Sequence, residues 1–366
     1  MFAPSFQITN KTLTNLINVE ISKKVVELAS LQPDWETRLR QDALTRRIYC
    51  LYHFLGNGLG PDEISKIVRD EPGRDDKASE VALRCGVVGK EKDIQHILNF
   101  LNANKLTEQI AYLTNKFKQT DFGESDLKKL NGLLGERMIG SDDLGQYRTE
   151  NRDEVGGLAP LAVEIPFQME DLFGWFRSAG RNEIHPVLKS GTMFVELIRI
   201  SPFNANNLMT AFCFANLILS SEGYHFKQMW SLEEEILKNS EIYLAAVNSV
   251  AGKGGDLSFW MEKYSRWTDE AAEKTKTKVL NLVGETPIFK SGGGRVISLT
   301  ERQIAIMEEM TLRNEMTIKE IRGVLPMVSD DTILRDLKDL IDKKLIRKKG
   351  KTKGAIYVMG KVKSYR

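Results

Sequence analysis

The 366-residue sequence has few of the side chains that build disulfide frameworks or metal sites. It contains three cysteines, which are too few and too scattered for a disulfide framework or a CxxC metal site: Cys50, Cys85 and Cys213. Its four histidines never pair at the spacing of metal ligands: His53, His96, His185 and His225. We therefore expect no metal centre, and a reducing cytoplasm is the expected compartment.

Long apolar runs and targeting signals are also missing. The longest apolar run, residues 208–219, is too short to cross a bilayer and contains Asn216. The N-terminal residues MFAPSFQITNKTL have neither a basic start nor an apolar core, so they predict no signal peptide. The expectation is a protein without a membrane partner.

Charge is distributed unevenly along the chain, although the net charge is only +2. Residues 343–366 contain ten Lys or Arg and no acid, whereas the other 342 residues contain 42 basic and 50 acidic side chains. A basic tail on an acidic body indicates two modules with different partners.

The order of sequence patterns predicts a mainly α-helical protein of several parts. Residues 1–110 and 111–285 carry apolar positions at helical spacing. Residues 145–166 break this pattern, and their Gly-Gly pair, proline and short apolar stretches favour a β-hairpin or extended flap. Residues 286–297 contain three consecutive glycines and are typical of a linker.

The last part, residues 298–366, has a layout of its own. LTERQIAIMEEMTLRN, MTIKEIRGVL and VSDDTILRDLKDLIDKK predict three helices, with Ser329 placed to cap the third. LIRKKGKTKGAIYVM then predicts two strands around a turn rich in Lys and Gly. Three helices followed by a basic hairpin are typical of a winged helix-turn-helix.

The stretch RISPFNANNLMTAF, residues 199–212, lies between two apolar helical segments. It has the outline of an anion-holding loop, in which a short irregular segment joins a helix N-terminus. It contains no His, no carboxylate and, after Arg199, no basic residue. The stretch therefore has the form of an active-site loop without the side chains that would act in one.

Over nearly its whole length the chain resembles a Fic-family protein with a C-terminal winged helix. The resemblance includes the N-terminal helices, the flap around Gln146-Tyr147-Arg148, the helix that opens at His185-Pro186, and GDLSFWMEKY after the core. It implies a helical fold and, for an intact site, transfer of AMP from ATP to a protein hydroxyl. The family signature between two helices is HPFx[DE]GNGRxxR.

Each part of that signature has a chemical role, and most parts are replaced here. The resemblance implies a His as general base, a carboxylate for Mg²⁺, glycines for a backbone anion nest, and arginines for phosphate. The loop 201–212 keeps Pro202, Phe203 and Asn207. The general base, carboxylate, glycines and arginines are replaced by Ser201, Ala205, Asn206, Leu208, Met209 and Phe212.

A second family feature is altered in the same way. Many Fic proteins have an inhibitory helix of pattern [S/T]xxxE[G/N], whose Glu pairs with the last Arg of the loop. The matching segment LYHFLGN keeps Gly56 and Asn57, whereas Leu51 and Leu55 replace the hydroxyl residue and the Glu. Since both partners of the ion pair are missing, we expect an apolar contact between Leu55 and Phe212 instead.

These losses predict a degenerate Fic domain that does not transfer AMP, with no catalytic residue, no metal ligand and no expected cofactor. The alternative is an AMP-transferase with an unorthodox loop, which would bind Mg-ATP and use Arg148 or Lys189. His185 begins a His-Pro pair, but the residues after it do not follow the signature.

The winged helix predicts a contact with DNA, with its third helix in the major groove and its wing along phosphates. The candidate residues are Ser329, Thr332, Arg335, Arg347, Lys348, Lys349, Lys351 and Lys353. Asp330 and Asp331 at the start of the third helix would repel phosphate if they faced it. A protein-binding or dimerisation module therefore stays open, and we expect a regulator with DNA, another protein or a second copy as partner.

Overall fold

The computed structural model describes residues 2–117, 122–151, 159–179, 183–252, 255–285, 299–313, 315–325, 328–350 and 355–360. These residues are mainly α-helical, as the sequence predicts, and include one small antiparallel sheet. The chain folds into two compact units, Met1–Asn281 and Leu282–Arg366. The Gly-rich linker predicted at 286–297, and the wing candidates Lys351 and Lys353, lie outside the described residues.

Six helices form the first part of the N-terminal unit. They are α1 Asn10–Leu28, α2 Pro33–Phe54, α3 Pro61–Asp70, α4 Ala78–Cys85, α5 Glu91–Phe117 and α6 Glu124–Gly135. Local sequence explains several of their ends. Pro33 and Pro61 occupy the first helical positions, where a missing N–H costs nothing. At the end of α2, Gly56 is left-handed and the Asn57 N–H donates to the Tyr52 carbonyl at 2.8 Å, which is a Schellman motif.

Six further helices complete this unit. They are α7 Ile165–Ser178, α8 Pro186–Ile200, α9 Asn207–Ser221, α10 Leu232–Leu237, α11 Ser240–Gly252 and α12 Ser258–Glu285. Every residue of α8 from Val187 to Ile198 is buried, and α9 is buried over most of its length. Because a helix that is apolar all round is stable only inside a core, α8 and α9 form the centre around which α5, α6 and α7 pack.

The predicted flap does not form a hairpin in its described parts. Residues 145–151 make a single antiparallel bridge, from Tyr147 to Phe203, and residues 162–164 form a 3-10 turn that leads into α7. Residues 152–158 lie outside the described residues. The segment pairs with the loop after α8 because the Arg148 N–H donates to the Pro202 carbonyl at 2.8 Å.

The C-terminal unit has three helices and three strands in its described residues. They are α13 Glu301–Arg313, β1 Glu315–Thr317, α14 Ile318–Val324, α15 Asp330–Asp342, β2 Ile346–Lys349 and β3 Ile356–Met359. The strands are antiparallel in the order β1-β3-β2. The helices and the β2–β3 hairpin lie where the sequence predicts them, whereas β1 was not predicted. A separate apolar core, which includes Ile306, Leu337 and Tyr357, holds this unit together.

Ser329 caps α15 less directly than predicted. It occupies the N-cap position, but its side chain accepts no backbone hydrogen bond. Its hydroxyl lies instead 2.9 Å from the Thr332 hydroxyl. The helix start is stabilised by Asp330 and Asp331 in the first turn, where acids complement the helix dipole.

Candidate functional site

The loop between α8 and α9 begins with a buried serine. Ser201 follows the last turn of α8 in a left-handed conformation, with φ of 46°, and its N–H donates to the Leu197 carbonyl at 2.9 Å. Its side chain is buried. A neutral hydroxyl is a poor proton acceptor near neutral pH, so this position offers no general base.

The side chain of Asn207 closes the loop. Its Oδ1 accepts from the Phe203 N–H at 2.9 Å, and its Nδ2 donates to the Phe203 carbonyl at 2.8 Å. Both ends of the amide are therefore used within the loop. The retained Asn is explained by this contact, which connects the start of α9 to the preceding turn.

Apolar side chains fill the positions at which the resemblance implies phosphate-binding arginines. Met209 and Phe212 are buried, and the Phe212 ring lies 4.7 Å from the Phe194 ring of α8. Phe203 is buried as well and packs against Tyr147 at 5.6 Å. Since these side chains belong to the core, the loop presents apolar packing where an intact signature would present positive charge.

Two polar residues that the sequence did not single out complete the loop. Asn131 of α6 donates to the Ala205 carbonyl at 2.9 Å and to the Thr210 hydroxyl at 3.1 Å. Asp143 accepts from the Asn204 amide at 2.6 Å. Neither residue is near the loop in sequence. The contacts follow from packing of α6 and of the turn after it, and no spacing in the sequence marks them.

The loop does not fit a magnesium nucleotide. Ala205, at the position of the metal carboxylate, has no oxygen in its side chain, and its carbonyl already accepts from Asn131. Arg199, the basic residue at the start of the stretch, is paired with the buried carboxylate of Glu196 at 2.8 Å. Burial outweighs this arginine and raises the pKa of the Glu196 carboxyl. No reaction step through ATP or Mg²⁺ follows from this arrangement.

One backbone feature of an anion-binding loop persists. Asn206, directly before α9, is left-handed with φ of 64°, and its side chain makes no capping hydrogen bond. Its carbonyl accepts from the Thr210 N–H at 2.9 Å and from the Thr210 hydroxyl at 2.8 Å. The loop therefore still leads into the N-terminus of a helix with one left-handed residue.

Arg148, a candidate for an unorthodox site, is buried and holds the flap to the loop. Its guanidinium donates to three carbonyl oxygens: Ser201 at 2.9 Å, Glu150 at 2.8 Å and Pro160 at 2.7 Å. A planar fork of donors suits three carbonyls in different directions. The residue is thus engaged in connecting the two segments.

Lys189 and His185, the other two candidates, are also engaged in structure. The Lys189 ammonium donates to the Ala179 carbonyl, at the end of α7, at 2.8 Å and lies 4.5 Å from the centre of the Phe176 ring. His185 is the N-cap of α8, and its Nδ1 accepts from the Val187 N–H at 3.2 Å. Burial lowers the pKa of His185, although Glu20 at 3.2 Å opposes this shift.

The segment that matches the inhibitory helix is now structural, but not in the way predicted. Leu51 is fully buried in the same core as Phe212. Leu55 is 49% exposed and is not part of that core, which does not support the predicted contact between Leu55 and Phe212. The reason is that the helix ends at Phe54, and Leu55 belongs to the turn that Gly56 and Asn57 form.

The C-terminal candidates divide by exposure. Arg335 is exposed on α15, together with Asp331, Leu334 and Lys338 on one helix face. Arg347, Lys348 and Lys349 are all exposed on β2, whereas Ile346 is buried. Ser329 and Thr332 are engaged with each other at the start of the helix.

Neither a cluster of metal ligands nor a helix able to span a membrane is present in the described ranges. Within them there is no group of three or more His, Cys, Asp or Glu side chains that could hold a metal ion. In the same part of the chain, none of the helices combines the length and apolar character needed to cross a membrane.

Comparison with known proteins finds one family model that the central helices match. Residues 121–219, from the segment before α6 to near the end of α9, match the model of the Fic/DOC family. The matched range includes the loop described above. No curated protein matches the chain.

Solved structures of Fic proteins share the fold of this chain. A Fic family protein from Desulfovibrio desulfuricans G20 is 16% identical, with a TM-score of 0.66 and 100% of both chains covered. A Fic domain containing signaling protein from Bacteroides thetaiotaomicron VPI-5482 is 16% identical, with a TM-score of 0.56 over 74% of this chain and 98% of that one. Residues 134–508 of Fic-1 from C. elegans are 16% identical, with a TM-score of 0.55 over 75% and 73%.

Proposed function

We propose that the chain is a regulator in which a degenerate Fic domain does not transfer AMP and a C-terminal winged helix contacts DNA. One observation carries the first half of this proposal. The loop between α8 and α9 is filled from within, because Phe203, Met209 and Phe212 are buried and Asn207 is bonded to its own loop. Placing phosphate there would bury charge against apolar side chains, which is strongly unfavourable.

The proposed role of the domain is to bind or hold a protein partner. A packed loop and a buried Arg148 give the surface around them a rigid shape. Rigid elements of this kind position binding residues more accurately than mobile ones. The domain would then act by its surface, and no chemistry at Ser201 is required.

The second half of the proposal depends on the C-terminal unit. Three helices and a three-stranded sheet with an exposed basic strand support a winged helix. Arg347, Lys348 and Lys349 would lie along phosphates, and Arg335 on α15 would approach the groove. Asp330 pairs with Arg322, which reduces the repulsion that this carboxylate would exert on DNA.

A second candidate function is supported by Asn206. Its left-handed conformation before α9 has the form of an anion nest, so an AMP-transferase with an altered loop stays as the alternative. Under that alternative the loop binds Mg-ATP, and the C-terminal unit recruits or controls the enzyme. Binding of protein rather than DNA by the C-terminal unit is the other open alternative.

Calorimetric titration of the full chain with Mg-ATP tests the proposal. We expect no saturable heat at millimolar nucleotide, in the wild type or in the variants Asn206→Ala and Met209→Ala. Saturable binding that Asn206→Ala or Met209→Ala abolishes would overturn the non-catalytic assignment, and a radiolabel-transfer assay would then identify the reaction. Saturable binding that persists in both variants would place a nucleotide site elsewhere in the chain.

A further inference from the structure

A strained turn lies between α9 and α10. Phe226, Lys227 and Gln228 are consecutive, and all three are left-handed, with φ of 43°, 50° and 63°. For residues other than glycine this conformation costs on the order of 1–2 kcal/mol each. Such strain persists only where the surroundings impose it, and it is concentrated at functional sites.

Contacts with the end of α1, with α2 and with Trp230 impose the conformation of this turn. The Lys227 ammonium donates to the Ala29 carbonyl, after α1, at 2.7 Å and to Glu36 of α2 at 3.2 Å. The Nε of Arg40 donates to the Lys227 carbonyl at 3.0 Å. Phe226 is buried and stacks on Trp230 at 4.7 Å. The turn is therefore held in one position, with Gln228 beside α2 and α5.

Two adjoining cavities open at this turn. The first, of about 390 Å³, lies between α2, the end of α3, α5 and Gln228. The second, of about 400 Å³, lies between α5 and residues 223–228. Both are lined by Arg40, Glu108 and Gln228, so they adjoin at these side chains, and we name the pair of cavities the α2–α5 groove. Its size is that of small-molecule sites in proteins. No residue of the 201–207 loop lines it.

Cations outnumber acids in the lining of the α2–α5 groove. The cations are Arg40, Arg47, Lys105 and Lys227, and the acids are Glu71 and Glu108. Residues 1–342 as a whole are acidic by contrast, with 50 acids against 42 bases. Arg47 is neutralised by Glu233, whereas Arg40 and Lys227 share the single carboxylate of Glu36 at 3.2 Å each. Positive charge is therefore in excess beside the turn, which favours an anionic ligand.

A chain of hydrogen bonds fixes the polar wall of the groove. Arg47 donates from Nε to the buried carboxylate of Glu233 at 2.9 Å and from its terminal N–H to the Oδ1 of Asn104 at 2.8 Å. Because Arg only donates, the Asn104 amide must turn its Nδ2 toward Glu108, to which it donates at 2.7 Å. Burial raises the pKa of the Glu108 carboxyl. The Glu108 carboxyl therefore repels a bound anion less strongly than an exposed carboxylate would.

Part of the lining of the first cavity is apolar. It is formed by Leu44, Val68 and Leu101, which lie on α2, α3 and α5. An occupant that satisfies both the polar and the apolar lining has a charged end and a hydrocarbon body. Glu71 and Glu108 disfavour a doubly charged group, so a single negative charge suits the groove best.

We propose that the α2–α5 groove is a binding site for a small organic monocarboxylate, held at its charged end by Arg40 and at its apolar body by Leu44, Val68 and Leu101. This site is independent of the loop between α8 and α9 and of the function proposed for the domain.

Calorimetry on the full chain tests this site with defined probes. The probes are benzoate and 3-phenylpropionate, their neutral amides benzamide and 3-phenylpropionamide, and inorganic phosphate. We expect saturable binding of a carboxylate, and at least about ten-fold weaker binding of its amide and of phosphate, because an ion pair with Arg is lost or a second charge is added. Equal binding of acid and amide, or no saturable binding of either acid, would overturn the proposal.

Matched variants locate the site. Arg40→Gln is expected to weaken carboxylate binding at least about ten-fold, whereas Arg38→Gln, two residues away on α2 and outside the lining, leaves it unchanged. In Glu108→Gln the amide oxygen can still accept a hydrogen bond, but the negative charge is removed. Carboxylate binding should therefore be as tight as in the wild type or tighter. Equal loss in the Arg38 and Arg40 variants would contradict the assignment, as would loss of binding in Glu108→Gln with an unchanged melting temperature.

Discussion

Arg148 donates from its Nε to the carbonyl oxygen of Ser201 at 2.9 Å, across 53 positions of sequence. The bond joins the flap to the residue that stands where the family signature has its general base. Because the same guanidinium also holds the carbonyls of Glu150 and Pro160, the flap and the loop form one packed structure. A loop whose residues 201–212 include no charged side chain is thus stabilised by a buried charge from outside it.

Arg148→Lys should lower the free energy of unfolding by about 2–4 kcal/mol, since an ammonium cannot serve three carbonyls in the plane of a guanidinium and buried acceptors are left unsatisfied. Urea denaturation of the full chain measures the loss. Arg38→Lys, at an exposed position of α2, is the control and should change stability little. A loss below about 1 kcal/mol for Arg148→Lys would show that the tie between flap and loop is not important for folding.

The two asparagines of the loop should respond differently to substitution. Asn207→Ala removes both hydrogen bonds to the Phe203 backbone and should cost about 1–3 kcal/mol. Asn206→Ala should cost about 1 kcal/mol because alanine is strained at φ of 64°, whereas Asn206→Gly should be close to neutral. Chemical denaturation compares all three variants. Equal effects of Ala and Gly at position 206 would mean that the left-handed conformation there does not determine the loss of stability.

Leu51 and Leu55 provide a matched pair in the segment that resembles an inhibitory helix. Leu51→Ala should destabilise the protein by about 2–4 kcal/mol because it leaves a cavity in the core. Leu55→Ala should change stability by less than about 0.5 kcal/mol because the side chain is exposed. Thermal and urea unfolding measure both. A large effect of Leu55→Ala would indicate that Leu55 does contact Phe212, as the sequence predicts.

Acidification should destabilise the N-terminal unit, in part through His185. Burial lowers the pKa of this imidazole below its ordinary 6.5, with Glu20, Lys23 and Tyr224 facing it. The unfolded chain therefore binds the proton first, so stability is complete above about pH 6.5 and is lost as the pH falls toward the lower pKa of the folded state. Protonation of Nδ1 would also break the cap to the Val187 N–H.

The variant His185→Asn isolates this contribution. Asparagine is a good N-cap and does not titrate, so the variant should lose less stability than the wild type between pH 7.5 and pH 5.5. Melting temperatures at the two pH values measure the difference. His96 and His225, whose pKa values are also lowered by burial, contribute equally to both proteins. Identical pH dependence of variant and wild type would show that His185 does not contribute to the loss of stability at low pH.

The exposed basic strand should determine the salt dependence of the proposed DNA contact. Replacing Arg347, Lys348 and Lys349 one at a time with Ala should weaken binding to any duplex and lower the slope of log affinity against log salt by about 1 each. Fluorescence anisotropy over a series of KCl concentrations gives the slopes. Lys66→Ala, on α3 of the other unit, should leave them unchanged. Binding that is insensitive to salt, or unaffected by all three substitutions, would favour a protein partner.

Much of the fold could be predicted from local signals. The helical periodicity acts over a few residues, and the structure has helices where it predicts them. Pro33 and Pro61 at helix starts and Gly56-Asn57 at a helix end are local signals of the same kind. The hairpin β2–β3 was also predicted, because its strands are neighbours in sequence. The absence of charged side chains from residues 201–212 is evident from the sequence alone.

Other features depend on residues that are distant in sequence, and no local pattern marks them. In its described residues the flap pairs with the loop and not with itself, and Leu51 rather than Leu55 joins the core. Asn131 reaches Ala205 only because α6 packs against α9. The short strand β1 forms because β3 offers it an edge. Local preferences set where helices start and stop. Burial and long-range hydrogen bonds, which depend on how the helices pack, set what the loop and the α2–α5 groove can bind.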